Sequence, residues 1–149
     1  MKKILNKKGF TLVEVLLVVV IIAILAAVVL VAINPGRQIS QANNTQRSSD
    51  VKAILDAVSQ YSIDNRGVLP AAITATATVV GSGTGQINIC ADVVPTYIAA
   101  LPFDPTDAAG AYTDCTTYNT GYNISADANG RVTVAAPSAE LSEVISVTR

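Results

Sequence analysis

The nineteen residues Val15–Ile33 carry no charge and no strongly polar side chain. A helix of that length runs about 28 Å at ~1.5 Å per residue, close to the ~30 Å hydrocarbon core of a bilayer. The stretch therefore reads as a membrane helix. Lys2, Lys3, Lys7 and Lys8 precede it, whereas Arg37, Arg47 and Lys52 beyond it are diluted by Asp50. That bias places the N-terminus in the cytoplasm and the bulk of the chain outside. A secretory signal peptide shares the basic start, but its apolar stretch runs ~7–15 residues and this one is longer. Glu14 stands at the entrance to the run. A carboxylate inside an apolar span costs about 2.5–3.5 kcal/mol on insertion scales and is kept where it has a partner. Between Phe10 and Gly36 there is no Lys or Arg. A cation could arise there as a new α-amino group, if the chain were cut just before Phe10.

The 149 residues allow one modest domain beside this segment. Net charge is −1. Setting aside the four lysines before Gly9 leaves six cations against eleven anions, a net of −5. Such an acidic remainder has no electrostatic basis for gripping nucleic acid. The chain has no His and no Trp, which removes the commonest general base and the commonest transition-metal ligand. No cofactor is implied.

Lys7-Lys8-Gly9-Phe10-Thr11-Leu12-Val13-Glu14, followed by an apolar helix, resembles the class III leader of type IV pilins and pseudopilins. The resemblance implies a leader of residues 1–9 that a prepilin peptidase removes between Gly9 and Phe10. It further implies N-methylation of Phe10 and a role for Glu14 in assembly. In a filament the new Phe10 ammonium of one subunit would neutralise the buried Glu14 of its neighbour, because a buried carboxylate persists only when paired.

Asn34-Pro35-Gly36 interrupts the helical pattern. Proline lacks the donor for the helix ladder and pushes the residue before it away from helical geometry. Asn before Pro also reads as an N-cap with proline at the first helical position, so a helix restarts here. A kink or short unwound stretch is expected, which the pilin resemblance also implies. Residues 37–50 are mostly polar. An apolar stripe returns at Val51, Ile54, Leu55, Val58 and Tyr61, with helical spacing. Arg66 and Gly67 read as a last turn and C′ position, with Pro70 beyond. Residues 10–33 and 34–67 would then form a near-continuous spine about 85 Å long, its stripe packed against a head of residues 68–149.

In that head the expected strands are Thr76–Val80, Gln86–Cys90, Tyr122–Ala126, Arg131–Ala135 and Val144–Thr148. A hairpin is placed across Ala128-Asn129-Gly130, because Asn-Gly suits turns that need positive φ. Gly81-Ser82-Gly83-Thr84-Gly85 lacks the Lys-Ser/Thr of a phosphate loop and reads as a flexible hairpin connection. The expected fold class is α+β: a long N-terminal helix packed on a small antiparallel sheet, the pilin fold that the resemblance implies.

Cys90 and Cys115 are read as a disulfide stapling a head too small for a large core. Its loop of about 25 residues is worth roughly 3.5 kcal/mol. A metal or reactive thiol pair is the alternative. The segment Pro95–Pro105 resembles one in major pseudopilins, where a nearby loop binds calcium. Asp104, Asp107 and Asp114 could supply hard oxygen ligands, but their spacing matches no calcium loop, and solvated turn carboxylates are the favoured reading. Tyr97, Tyr112, Tyr118 and Tyr122 read as head packing rather than base stacking. Asn43 and Asn123 begin glycosylation sequons, and residues 74–84 are rich in Thr.

The expected function is a structural subunit, a type IV pilin that polymerises into an extracellular, homo-oligomeric helical filament. Its partners would be the prepilin peptidase, an inner-membrane assembly platform and, before assembly, the membrane. Filaments of this kind serve motility, adhesion, DNA uptake or secretion. The alternative is a pseudopilin of a type II secretion or competence system, forming a short periplasmic or cell-wall filament. A single-span anchored binding module is less favoured. An enzyme is not expected: without His, and with paired cysteines, no nucleophile–base pair stands out.

Overall fold

The computed structural model describes residues 9–149; the lysine-rich leader residues 1–8 lie outside the described residues. The chain divides into a first unit ending at Gln38 and a second, Ile39–Arg149.

The first unit contains helix α1, Leu12–Ile33. Thr11 caps it in extended geometry, and its Oγ1 accepts the Glu14 amide at 3.2 Å. This satisfies one of the amides orphaned at a helix start. From Leu12 to Leu30 the large side chains are apolar around the whole circumference apart from Glu14, and all are exposed. A helix that is apolar on every face suits a membrane or a buried site, not water. Among the described residues it is the one helix long and apolar enough to cross a bilayer. It stops at Asn34, which adopts a left-handed backbone (φ 49°). The Asn34 carbonyl then accepts the Arg37 and Gln38 amides, and its Oδ1 also accepts Arg37 N–H at 3.3 Å. One residue thus closes α1 and caps α2, Pro35–Asp64. Of the expected break Asn34-Pro35-Gly36, the non-helical geometry sits on Asn34 alone, because Pro35 and Gly36 already belong to α2. Proline is well placed there, since the first helical amide has no partner to lose.

In the second unit, α2 ends with two crossing hydrogen bonds, Gly67 N–H to Ser62 O and Arg66 N–H to Ile63 O. Arg66 (φ 58°) and Gly67 (φ 89°) are both left-handed. This is a Schellman closure, with Arg66 at C′ and Gly67 one position later than expected. The helix ends at Asp64 rather than at residue 67.

Five strands follow: β1 Thr78–Gly81, β2 Ala111–Asp114, β3 Thr117–Ala126, β4 Val132–Ala136 and β5 Ile145–Thr148. They form one antiparallel sheet in the order β1-β3-β4-β5, with β2 also on β3. Tyr122, Ile124, Val132, Val134 and Ile145 pack with Val51, Ile54, Leu55 and Val58 of α2 into one core. The apolar stripe at helical spacing is therefore the face that meets the head. The β3–β4 turn is built by Asp127, whose Oδ1 accepts the Asn129 and Arg131 amides while Gly130 takes φ 79°.

Two expectations for the head are corrected. Gln86–Cys90 is not a strand: Ile87 makes a single parallel bridge to Val80, and Cys90–Val93 form a short helix, α3. Both Ile87 and Ile89 are buried, so alternation that looks strand-like serves an irregular buried segment. Consequently Gly81–Gly85 is not a hairpin connection. It returns the chain in parallel, with Gln86 Oε1 accepting the Gly83 amide at 2.7 Å. A Cβ on Gly81 would collide with that Gln86 side chain. Strand β2 escaped the sequence reading; Ala-Tyr-Thr-Asp is an edge strand with little buried surface.

Candidate functional site

At the N-terminal end, Gly9 and Phe10 precede α1 in non-helical conformation, and both are exposed. Thr11-Leu12-Val13-Glu14 has the spacing of a capping box. The Glu14 amide makes its half of that arrangement with Thr11. Phe10, Glu14 and Val18 follow one another at helical spacing and line a shallow hollow of about 280 Å³ with Val15 and Val19. Glu14 forms no ion pair among the described residues. A lone carboxylate thus projects from an otherwise apolar helix surface, beside the residue that would become the new terminus.

The second cluster lies within the Ile39–Arg149 unit and was not foreseen. Asn44, Arg47 and Asp50 belong to the mostly polar stretch 37–50, yet all three are buried. The Arg47 guanidinium, fully buried, uses all five of its donors. Nε and Nη2 grip Asp104 at 2.8 and 3.1 Å; Nη1 reaches Asn44 Oδ1 and Glu140 Oε2, each at 2.9 Å; Nη2 also meets Thr106 Oγ1 at 2.5 Å. The hydrogen bond to Asp104 raises the Arg47 pKa above its ordinary value against the opposing pull of burial. Burial pushes the Asp104 carboxyl up, but Arg47 and Thr106 together hold it below the usual carboxylate value. Glu140 is held low by Asn43, Ser40 and Arg47.

Three residues along α2, Asp50 accepts the Tyr122 hydroxyl at 2.8 Å and the Gln46 amide at 2.7 Å. Burial outweighs both bonds and raises the Asp50 pKa. Burial, with Asp50 alongside, also pushes the Tyr122 hydroxyl far up. The signal for this cluster was present in the spacing: 44, 47 and 50 prolong the 51–54–58 stripe toward the helix start.

The calcium candidates do not assemble. Asp104 gives both oxygens to a guanidinium, a cation that competes with any metal. Asp107 Oδ1 caps Ala109, and Asp114 Oδ1 caps Thr116 and Thr117. Among the described residues no three His, Cys, Asp or Glu side chains are arranged to hold a metal. Cys90 and Cys115 are joined by a disulfide with Cα atoms 5.2 Å apart, tying α3 to the β2–β3 turn. The tyrosines are packing residues. Tyr118 and Tyr122 are buried, Tyr112 leans on Tyr118 with centroids 6.1 Å apart, and Tyr97 donates to Asp64 at 3.0 Å. Of the two sequon asparagines, Asn43 is engaged with Glu140, and Asn123 Oδ1 is buried without a partner.

Residues 4–30 match the model of the prokaryotic N-terminal methylation motif. No curated protein and no solved structure matches the chain.

Proposed function

We propose, from the support that the methylation motif lends to a type IV pilin-like prepilin, that the chain is a structural subunit of a type IV pilus filament. That class is structural, not enzymatic, and the α+β arrangement of an apolar helix, a second helix and a small antiparallel sheet matches the pilin fold. The apolar helix and the motif fit a membrane-anchored precursor that later assembles extracellularly.

In the proposed sequence of events the precursor sits in the cytoplasmic membrane with its lysine-rich leader inside. A prepilin peptidase cuts between Gly9 and Phe10, Phe10 is methylated, and an assembly platform draws the subunit into a homo-oligomeric filament. The observation that carries this reading is Glu14, a carboxylate without an ion-pair partner among the described residues on a helix apolar around its circumference. Packed among neighbouring α1 helices it would be a buried charge, which is tolerated only when paired. The Phe10 ammonium of the adjacent subunit, still cationic after one methylation, supplies that partner. Left-handed Asn34 is the proposed hinge, and the disulfide suits an oxidising compartment.

Glu14→Ala should leave the subunit inserted in the membrane yet unassembled; normal filament yield from that variant would falsify the reading. Mass spectrometry of the mature protein should find N-methylated Phe10 at its start. The motif supports a pseudopilin equally well. Long surface fibres seen by electron microscopy at native expression select the pilin, and their absence beside an active secretion or uptake system selects the pseudopilin.

A further inference from the structure

The segment between β4 and β5 is built inside out. Its Glu140 turns inward onto α2, accepting from Ser40 Oγ at 2.8 Å, Asn43 Nδ2 at 2.9 Å and Arg47 Nη1 at 2.9 Å, whereas its Glu143 is exposed. Asn44 reads the Glu140 backbone at both ends, accepting its N–H at 2.9 Å and donating to its carbonyl at 2.8 Å, and also donates to Glu143 at 3.0 Å. Its aliphatic side chains turn outward, with Leu141 44% and Val144 91% exposed. An ordinary surface loop does the reverse. Leu141 and Ser142 both hold left-handed backbones (φ 57° and 58°), a geometry that non-glycine residues rarely adopt. Strain of this kind persists where the surroundings over-determine it and points to function.

At the far end of α2 lies a complementary feature. A hollow of about 210 Å³ is walled by Ile63, Leu69 and Val132, with Ser59, Ser62 and Arg149 at its edge. Arg131 adjoins it in sequence and pairs through Nε with Asp127, and Arg149 pairs through Nη1 with Asp56; both arginines are exposed and keep their remaining donors free of ion pairs among the described residues. The loop thus offers aliphatic knobs beside an exposed acid, Glu143. The hollow offers aliphatic walls beside two exposed cations. The two patches stand about 27 Å apart along α2, counting ~1.5 Å for each residue from 44 to 62.

We propose that the 139–144 loop of one copy docks, through Val144 and Leu141, into the Ile63–Leu69–Val132 hollow of the next copy, with Glu143 meeting Arg149 and Arg131. Two different patches on one chain make a heterologous contact, which extends into an open array instead of closing as a dimer. This rests on the filament reading above and adds a head-to-head contact to the one made by the N-terminal helices.

The test is oxidative cross-linking of the full chain carrying Val144→Cys with Ile63→Cys, co-assembled with wild-type subunits. The native cysteines are bonded to each other, leaving no other thiol. Covalent oligomers from the double variant, and none from either single variant, are expected. Filaments that form without such oligomers overturn the docking contact alone, whereas a wild-type chain that never forms filaments overturns the filament reading beneath it. Val144→Asp should keep the wild-type melting temperature and raise the concentration needed for fibre growth about tenfold, equivalent to ~1.4 kcal/mol. Unchanged growth of that variant overturns the proposal.

Discussion

The two halves of the α2 face that meets the sheet have the same spacing and the same burial, and opposite chemistry. Val51, Ile54, Leu55 and Val58 meet the sheet as an apolar stripe. Asn44, Arg47 and Asp50 continue it toward the helix start as a buried polar cluster. The apolar half is held by area removed from water, a non-directional force that tolerates substitution when volume is kept. The polar half is held by directed bonds, and its charges are stable only together. Removing one partner leaves a desolvated ion, whereas replacing the set by apolar groups of similar shape can be neutral. The difference teaches that one helix face contains a robust region and a brittle one.

The largest expected effect tests the brittleness directly. Arg47→Ala strands Asp104 in the interior and should cost about 3–5 kcal/mol, read by denaturant unfolding of the detergent-solubilised chain. Combining Arg47→Met with Asp104→Leu should recover most of that loss; a double variant as unstable as the single one would sink the comparison. On the apolar side, Ile54→Ala should cost about 3 kcal/mol and Ile54→Val only about 1 kcal/mol. Equal losses for the two would mean that this half is as exacting as the other.

Acid separates the charges within the polar half. Asp104 and Glu140, held below the ordinary 3.8 and 4.5, contribute stability that is present above those values and lost as pH falls below them. Asp50 has its pKa raised by burial, so the folded state holds its proton more tightly and gains stability as pH falls through that raised value. Asp50→Asn removes this compensation, and its unfolding midpoint should fall more steeply than wild type between pH 6 and 3.5, a range set around the ordinary carboxylate values. Parallel curves would show that Asp50 does not bear the buried charge. Arg131→Ala, which breaks the exposed pair with Asp127, should shift stability by less than about 1 kcal/mol. A larger loss would mean that exposed and buried pairs on this head are not distinct.

Legibility in the sequence followed the range of the interaction. The apolar run, the helix restart at Asn34-Pro35, the Val51–Val58 stripe and the Asn129-Gly130 turn involve residues close in sequence, and the observed elements appear there. The Arg47 cluster joins partners 57 and 93 residues apart, so nothing local marks Asp104 as a guanidinium partner in preference to a metal ligand. Its half of the stripe is polar, so a search for apolar periodicity begins only at Val51. Periodicity carried the better signal, and it runs through 44, 47 and 50 unbroken. Likewise Gln86–Cys90 has a strand's alternation, but burial of Ile87 and Ile89 is satisfied by a parallel bridge and a short helix.

By itself, then, the sequence determined a bilayer-length apolar helix with a single carboxylate at its entrance, a helix restart at Asn34-Pro35, and an amphipathic face with a β-hairpin to cover it. Each follows from periodicity, backbone restriction or the energetics of water and hydrocarbon acting over a few residues. Tertiary structure alone decided which polar groups would be buried and with what partners. It also turned the 139–144 loop inside out. The stability of a buried charge depends on groups brought close by the fold, whatever their distance along the chain.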